Sequence, residues 1–207
     1  MSEEDVELYR AWRAGDRKRG RILVERHYDA VVRFFRMKLD AKTADDLVQR
    51  TFLVCVDATS EFRGDGTFKA YLFGIARRVL LSHYNDKHRL REDPDFNASS
   101  AFELQPGPVT VAAARADQRL LVEALRKIPV EMQITLELFY WEGLGVDELA
   151  AALDIPVGTV KSRLHRARTI LREIMQKLPA PSAAHGSVRA LVDQWAADLK
   201  AEHDVQP

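Results

Sequence analysis

The chain contains 207 residues, of which 46% are hydrophobic and 30% are charged, a composition typical of one large or two small globular domains. It excludes collagen, a disulfide scaffold and a fully disordered protein. The longest apolar runs, such as 52–56, are far shorter than the roughly eighteen residues needed to span a bilayer. The acidic amino-terminal segment lacks the order of a secretory signal, and the single cysteine, Cys55, agrees with a reducing compartment. We therefore expect a cytoplasmic protein with no membrane partner.

The charges balance overall but are unevenly distributed. Thirty-one basic and 31 acidic residues cancel, which argues against binding to nucleic acid by bulk charge alone. However, residues 61–91 contain seven Lys or Arg against three acids, and residues 156–177 contain six against Glu173. Residues 137–154 carry acids and no Lys or Arg. A solvated helix face is the ordinary explanation of one basic run, but two separate runs on predicted helices weaken it.

Apolar residues recur at helical spacing throughout the amino-terminal half. The pattern predicts helices over 3–14, 17–38, 43–59 and 68–89, and we find no convincing strand. Thr43 and Asp46 have the spacing of a capping box for the third helix. Thr67, which follows a glycine-containing turn at 64–66, suits the N-cap of the fourth helix.

A proline-rich and glycine-containing stretch, 91–110, separates this half from a second helical half. Helical patterning resumes over 111–127, 130–142, 146–153 and 157–178, and a final amphipathic helix is expected near 187–200. We predict an all-α protein with two small helical domains, 1–91 and 118–178, joined by a flexible linker at 92–117 and followed by an extension at 179–207. A long surface loop inside one domain is the alternative for the linker, but such loops are uncommon in compact folds.

The carboxy-terminal half contains helix-turn-helix patterning between 141 and 174. Two helical patterns meet at a short corner, where Ala150 is small and Asp154 tolerates a left-handed backbone, although glycine would do so at lower cost. One stripe of the second helix is apolar and should face the core: Val160, Leu164, Ala167 and Leu171.

The opposite face of that second helix suits a DNA major groove, because Arg and Lys donate to guanine while Ser and Thr contact several bases. The candidate DNA-binding residues are Thr159, Lys161, Ser162, Arg163, His165, Arg166 and Arg168. Arg166 is the leading base reader, whereas loss of Arg168 should weaken binding to all sequences alike. Arg163 is ambiguous by helical geometry and can instead pair with an acid. A helical hairpin with a solvated basic face is the competing interpretation.

These residues carry a family resemblance. The run IPVGTVKSRLHRAR at 155–168, preceded by FYWEGLGVDELAAAL at 139–153, resembles region 4 of bacterial sigma factors of the extracytoplasmic-function group, in the sigma-70 family. The run ADDLVQRTFL at 44–53, with FRGDGTFKAYLFGIARR at 62–78, resembles region 2 of the same group. The resemblance implies an alternative sigma factor that binds core RNA polymerase, recognises −35 and −10 promoter elements and promotes DNA melting. A stand-alone helix-turn-helix regulator is the alternative.

The resemblance also implies site residues in the amino-terminal half. Those expected to contact the −10 element are Phe62, Arg63, Asp65, Lys69, Tyr71, Arg77, Arg78, His83 and Lys87. A pocket for an unstacked base needs aromatic or apolar walls and basic residues along the backbone, and 62–91 supplies these types. Phe68 can instead be a core residue, because it lies on the apolar stripe. The residues expected to contact core polymerase are Asp45, Asp46, Leu47, Gln49, Arg50 and Phe52.

Several positions depart from the family pattern. Arg50 stands where an acid is usual, Tyr71 where tryptophan is usual, and Gly145 where a Ser or Thr cap is customary. Thr51, beside Arg50, can either accept a regulatory phosphate or be a plain helix hydroxyl, and the second reading is favoured. The extension at 179–207 lies beyond the resemblance and either docks on a domain or serves regulation.

An enzyme is the main rival of another class, because six histidines offer possible ligands or bases. No two of them share metal-site spacing with a suitable carboxylate, and there is no glycine-rich phosphate loop. We predict no catalytic residue, no metal and no cofactor. The expected partners are core RNA polymerase and promoter DNA, with an anti-sigma factor or another regulator as a further candidate.

Overall fold

The computed structural model describes residues 2–57, 66–89, 121 and 123–177, and these residues contain no strand. Four helices form the amino-terminal group: α1 (Ser2–Arg13), α2 (Arg17–Arg36), α3 (Ala41–Asp57) and α4 (Phe68–Arg89). After a helical segment at 123–126, the carboxy-terminal group contains α5 (Val130–Tyr140), α6 (Val146–Leu153) and α7 (Val157–Lys177). The all-α prediction is confirmed.

Local side-chain caps explain where several helices begin. Asp16 accepts hydrogen bonds from the backbone N–H groups of Lys18 and Arg19 and so starts α2. The predicted capping box of Thr43 and Asp46 is wrong, because Asp40 accepts both the N–H and the hydroxyl of Thr43 and α3 begins at Ala41. The predicted cap at Thr67 is confirmed, since its hydroxyl oxygen accepts the N–H of Ala70 at 3.3 Å.

The amino-terminal helices enclose an aromatic core. The ring of Phe34 meets those of Phe35 and Phe73 edge-on, with centroids 5.2 and 5.7 Å apart. Phe68 is fully buried beside Tyr9, as expected from its place on the apolar stripe. Large aromatic side chains remove much apolar surface from water, and such burial is the main source of stability in a small domain.

The carboxy-terminal helices form the predicted helix-turn-helix. Asp154 ends α6 with a left-handed backbone, at φ 54° and ψ 50°, and the N–H of Ile155 donates to the carbonyl of Ala150 at 3.1 Å. Gly145 caps the start of α6 without a side chain, and the carboxylate of Glu148 accepts its N–H at 2.7 Å. The corner thus has the geometry that the sequence pattern indicates.

The two groups of helices pack against each other, which the sequence did not predict. Helix α4 lies directly on α6, and the buried apolar residues form one continuous cluster across both groups. Gly74 allows this approach, because a Cβ atom at that position would lie 3.1 Å from the carbonyl oxygen of Ala152. The predicted linker at 92–117 and the extension at 179–207 lie outside the described residues, so the domain boundaries stay predictions.

Candidate nucleic-acid interface

Helix α7 presents an exposed polar face opposite its buried stripe. Val160, Leu164, Ala167 and Leu171 are buried, as the spacing predicted. The exposed face carries Thr159, Lys161, Ser162, His165 and Arg166. None of the ion pairs in the described part of the chain involves Lys161, His165 or Arg166. These side chains can therefore reach a groove of DNA without first breaking an internal salt bridge.

Two other arginines of α7 have partners inside the protein. Arg163 donates to a carboxylate oxygen of Glu131 at 3.1 Å, so the acid pairing left open by helical geometry is present. Arg168 is half-buried, and its guanidinium lies 5.7 Å from the ring centroid of Phe139 and 5.6 Å from that of Tyr140. This stacking gives Arg168 a packing role in the carboxy-terminal domain.

The residues predicted to meet the −10 element are distributed over α4 and the segment before it. Phe62, Arg63 and Asp65 lie outside the described residues, as does the side chain of Lys87. Arg78 is exposed and donates to the carbonyl of Gly74 at 3.3 Å, whereas His83 is half-buried. Tyr71 is half-buried with its hydroxyl 3.4 Å from that of Tyr9. The described members thus share a helix but do not form one exposed surface.

Lys69 and Arg77 are occupied by acids of the carboxy-terminal helices. Lys69 lies 2.8 Å from a carboxylate oxygen of Glu142 and donates to its backbone carbonyl at 2.6 Å. Arg77 makes two hydrogen bonds to Glu131, at 2.6 and 3.0 Å. Glu131 therefore binds one arginine from α4 and one from α7.

The electrostatics of Glu142 reflect these contacts. Burial raises the pKa of its carboxyl, but the ion pairs with Lys69 and Arg33 lower it by more, so that the pKa of Glu142 lies below its usual value. Arg33 contacts the same carboxylate at 2.7 Å. The sequence pattern pointed to neither Arg33 nor Glu131 as a partner in these contacts, whereas Glu137 and Glu142 belong to the acid-rich run at 137–154.

Helix α3 presents the side chains predicted to contact polymerase. Asp45, Asp46, Gln49 and Arg50 are exposed, and Phe52 is partly buried with its ring stacked on Tyr28 at 6.4 Å. Leu47 is buried and can only support the surface from beneath. Leu53 is 61% exposed and was missed, because it lies off the buried stripe that the spacing identified.

Thr51 and Cys55 both lie in the interior of the amino-terminal domain. Thr51 is fully buried and its hydroxyl donates to the carbonyl of Leu47 at 2.7 Å, which fits the plain-hydroxyl reading rather than phosphorylation. Burial raises the pKa of Cys55 to about 12, so the thiolate form of this residue is disfavoured.

No described helix is long and apolar enough to cross a membrane. Within the described ranges, no cluster of three or more His, Cys, Asp or Glu side chains has the arrangement of a metal site.

Both halves of the chain match models of known protein families. The family model for sigma-70 region 2 matches residues 23–90, and the model for sigma-70 region 4 matches residues 118–171. The chain belongs to the sigma-70 family. Both regions occur in one chain and in the order that the motifs indicated, so it is an alternative sigma factor for transcription initiation, and a stand-alone regulator is not favoured.

Individual relatives agree with this assignment. The sigma factor is 29% identical over 188 residues to the ECF RNA polymerase sigma-E factor of Escherichia coli K12, covering 86% of this chain and 98% of the relative. It is 27% identical to the RNA polymerase sigma-H factor of Pseudomonas aeruginosa, covering 85% of this chain and 96% of the relative.

Solved structures of similar fold include CnrH in complex with the cytosolic domain of CnrY, at a TM-score of 0.62 and 25% identity, covering 84% of this chain and 97% of that one. The sigma factor RpoE of Bartonella quintana, in complex with the anti-sigma factor NepR, has a TM-score of 0.56 at 23% identity, with 75% and 96% covered. This second likeness concerns the fold alone.

Proposed function

We propose that this sigma factor binds core RNA polymerase in the cytoplasm and directs it to promoters whose −35 element is read by α7. The single observation that carries the proposal is the exposed polar face of α7, with Arg166, Lys161 and His165 at its surface, in a chain that also contains region 2. Arginine and lysine at such positions donate to guanine edges in the major groove.

The exposed face of α3 supports a docking role for the amino-terminal domain. It combines two acids, Asp45 and Asp46, with an arginine at position 50 and an exposed apolar side chain at Leu53. An apolar contact surrounded by charged residues is a common arrangement in protein interfaces. The polymerase performs the chemistry of RNA synthesis in this proposal, and the sigma factor contributes recognition and strand separation.

The −10 element is assigned to α4 and the segment before it. Basic residues such as Arg78 can follow the backbone of an unpaired strand, while aromatic side chains stack on its bases. Lys69 and Arg77 become available to DNA only after they separate from Glu142 and Glu131. An anti-sigma factor that covers these surfaces is a further candidate partner, and CnrH, a structural relative, was solved in complex with the cytosolic domain of another protein, CnrY.

Reconstituted transcription tests the proposal. Purified bacterial core polymerase, with and without the full chain, is assayed on a library of promoters, and promoter-specific transcripts are expected only when the chain is present. Leu53→Ser should weaken association with core polymerase, whereas Ile22→Ser, which changes another exposed apolar residue, should not. Specific DNA binding by the chain alone, together with no association with core polymerase, would favour a stand-alone regulator instead.

A further inference from the structure

Four basic residues of the amino-terminal helices form a surface that the carboxy-terminal domain covers. This basic face consists of Arg33 on α2, Lys38 just after α2, and Lys69 and Arg77 on α4. Every ion pair that these four side chains make within the described residues is with an acid from the other domain. The basic face therefore has no compensating carboxylate of its own domain in these ion pairs.

The opposing acids form a matching acidic face, made of Glu131 and Glu137 on α5 and Glu142 just after it. Glu142 binds Arg33 at 2.7 Å and Lys69 at 2.8 Å, Glu131 binds Arg77 at 2.6 Å, and Glu137 binds Lys38. Carboxylate and phosphate groups both present anionic oxygens. Arginine and lysine bind either group through charge-assisted hydrogen bonds. An acidic face can thus fill the place of a nucleic-acid backbone.

Glu131 connects this contact to the recognition helix. One of its carboxylate oxygens lies 3.0 Å from Nε of Arg77 and 3.1 Å from a terminal nitrogen of Arg163. Separation of the two domains therefore removes the Arg77 contact and leaves Glu131 with Arg163 alone. The closed arrangement therefore withholds Arg77 from DNA, whereas Arg163 stays paired with Glu131 in either arrangement.

We propose that the basic face is a binding surface for the DNA backbone and that the acidic face occupies it in the closed protein, so that closure and DNA binding exclude each other. This inference rests on the proposed function and adds Arg33 and Lys38 to the DNA-binding residues. If only a fraction of the molecules is in the conformation that can bind, the apparent affinity for the ligand is reduced to that fraction of its intrinsic value. Opening the two domains should therefore raise affinity for DNA without any new contact residue.

Two independent variants open the protein. Gly74→Leu places a side chain where even a Cβ atom would lie 3.1 Å from the carbonyl oxygen of Ala152, while it leaves the charge unchanged and favours the helix. The double variant Glu131→Gln/Glu142→Gln removes the acids instead. The matched controls are Ala151→Leu, on the exposed side of α6, and Glu25→Gln/Glu123→Gln, which removes two exposed carboxylates of helix-surface pairs.

The experiment measures the radius of gyration by small-angle scattering and the affinity for a labelled single-stranded DNA of twenty nucleotides by fluorescence anisotropy, at one fixed salt concentration. Circular dichroism checks that helical content is kept. Both opening variants should increase the radius of gyration and tighten DNA binding about tenfold, as expected if closure leaves about a tenth of the molecules competent. Both controls should behave like the original chain.

A third substitution tests whether the basic face itself binds the DNA. In the Gly74→Leu background, Arg33→Gln should reverse much of the gain in affinity, whereas Arg21→Gln, an exposed arginine on the same helix, should reverse none of it. The proposal is overturned if neither opening variant expands the molecule, if expansion leaves DNA affinity unchanged, or if Arg33→Gln and Arg21→Gln are equivalent. Transcription with core polymerase distinguishes failure of this inference from failure of the proposed function. If the open variants support transcription but their DNA affinity is unchanged, this inference is overturned and the proposed function is not.

Discussion

Lys38 and Glu137 form an ion pair that is buried between the two domains, with 0% and 5% of their side chains exposed. The ammonium of Lys38 also donates to the carbonyl of Phe34 at 2.8 Å, and Gln133 donates to Glu137 at 2.8 Å. Burial lowers the pKa of Lys38 and raises the pKa of Glu137, although the attraction between the two charges opposes both shifts. Desolvation is thus the larger effect on each group.

Removing one member of this ion pair should destabilise the protein more than replacing both members with apolar residues. Lys38→Met alone leaves Glu137 without its cation in a dry site, and we expect a loss of about 3–5 kcal/mol in the free energy of unfolding. The double variant Lys38→Met/Glu137→Met should recover most of that loss, because two apolar side chains need no compensating charge. Urea unfolding measures both values. Equal destabilisation by the single and double variants would contradict this account. The control is the exposed ion pair of Lys127 and Glu123, whose removal should change the free energy of unfolding little.

Arg166 and Arg163 should behave differently although both lie on α7. Arg166→Ala removes an exposed side chain and should cost about 1–3 kcal/mol of discrimination at one base pair of the −35 element, with no change in domain stability. Arg163→Ala removes one of the two arginines that bind Glu131 and should instead lower stability. Transcription from a library of −35 variants, read beside thermal unfolding, distinguishes the two. A uniform loss at all promoters for Arg166→Ala would remove it as a base reader.

Arg168 should contribute to stability as well as to DNA affinity. Its guanidinium stacks on Phe139 and Tyr140, and we expect Arg168→Ala to lower the free energy of unfolding by about 0.5–2 kcal/mol. Arg168→Lys keeps the charge but not the planar stack, so it should restore DNA affinity better than stability. Parallel denaturation and DNA-binding measurements test this. Unchanged stability in Arg168→Ala would leave Arg168 only the sequence-independent contribution to DNA binding that was predicted from the sequence.

The corner of the helix-turn-helix should respond to the residue at position 154. Asp154 adopts a φ of 54°. In this left-handed region a Cβ atom causes steric strain, whereas glycine has no Cβ atom and no such penalty. Asp154→Gly should therefore stabilise the domain or leave it unchanged, while Asp154→Val should destabilise it by about 1–3 kcal/mol. Thermal unfolding of the three proteins gives the order. Stabilisation by valine would exclude the left-handed corner as the determining feature.

Stability should fall when His27 is protonated. Desolvation on burial lowers the pKa of His27, and a hydrogen bond of 2.9 Å to Asp5 opposes this shift. The positive charges of Lys69 and Arg26 nearby lower the pKa further. Because its pKa in the folded state lies below the unfolded value of about 6.5, the unfolded state binds the proton first. The free energy of unfolding should therefore decrease as the pH falls below about 6.5, by at most about 1.4 kcal/mol per pH unit.

The matched variant for this prediction is His27→Gln, which keeps a donor toward Asp5 but cannot titrate. Denaturant unfolding between pH 8 and pH 5.5 should show a flatter profile for this variant than for the original chain. Identical profiles would show that another group carries the dependence.

Helix existence could be predicted well from the sequence, and the site only in part. The predicted helices over 3–14, 17–38, 68–89 and 146–153 agree with the structure to within a residue or two at each end, because apolar spacing reports the buried face of a helix directly. The cap of α3 was assigned to Thr43 instead of Asp40, since two acceptable capping residues lay within one turn. Leu53 was missed because spacing identifies what is buried and gives no signal for an exposed apolar residue.

The amino-acid sequence by itself determined the seven bounded helices of the described part, the left-handed corner at Asp154 and the exposed face of α7, because all of these depend on residues within a few turns of one another. Only the tertiary structure decided that Lys69, Arg77 and Lys38 meet Glu142, Glu131 and Glu137. The physical reason is that an ion pair depends on separation in space, and charges on different domains have no periodic relation along the chain.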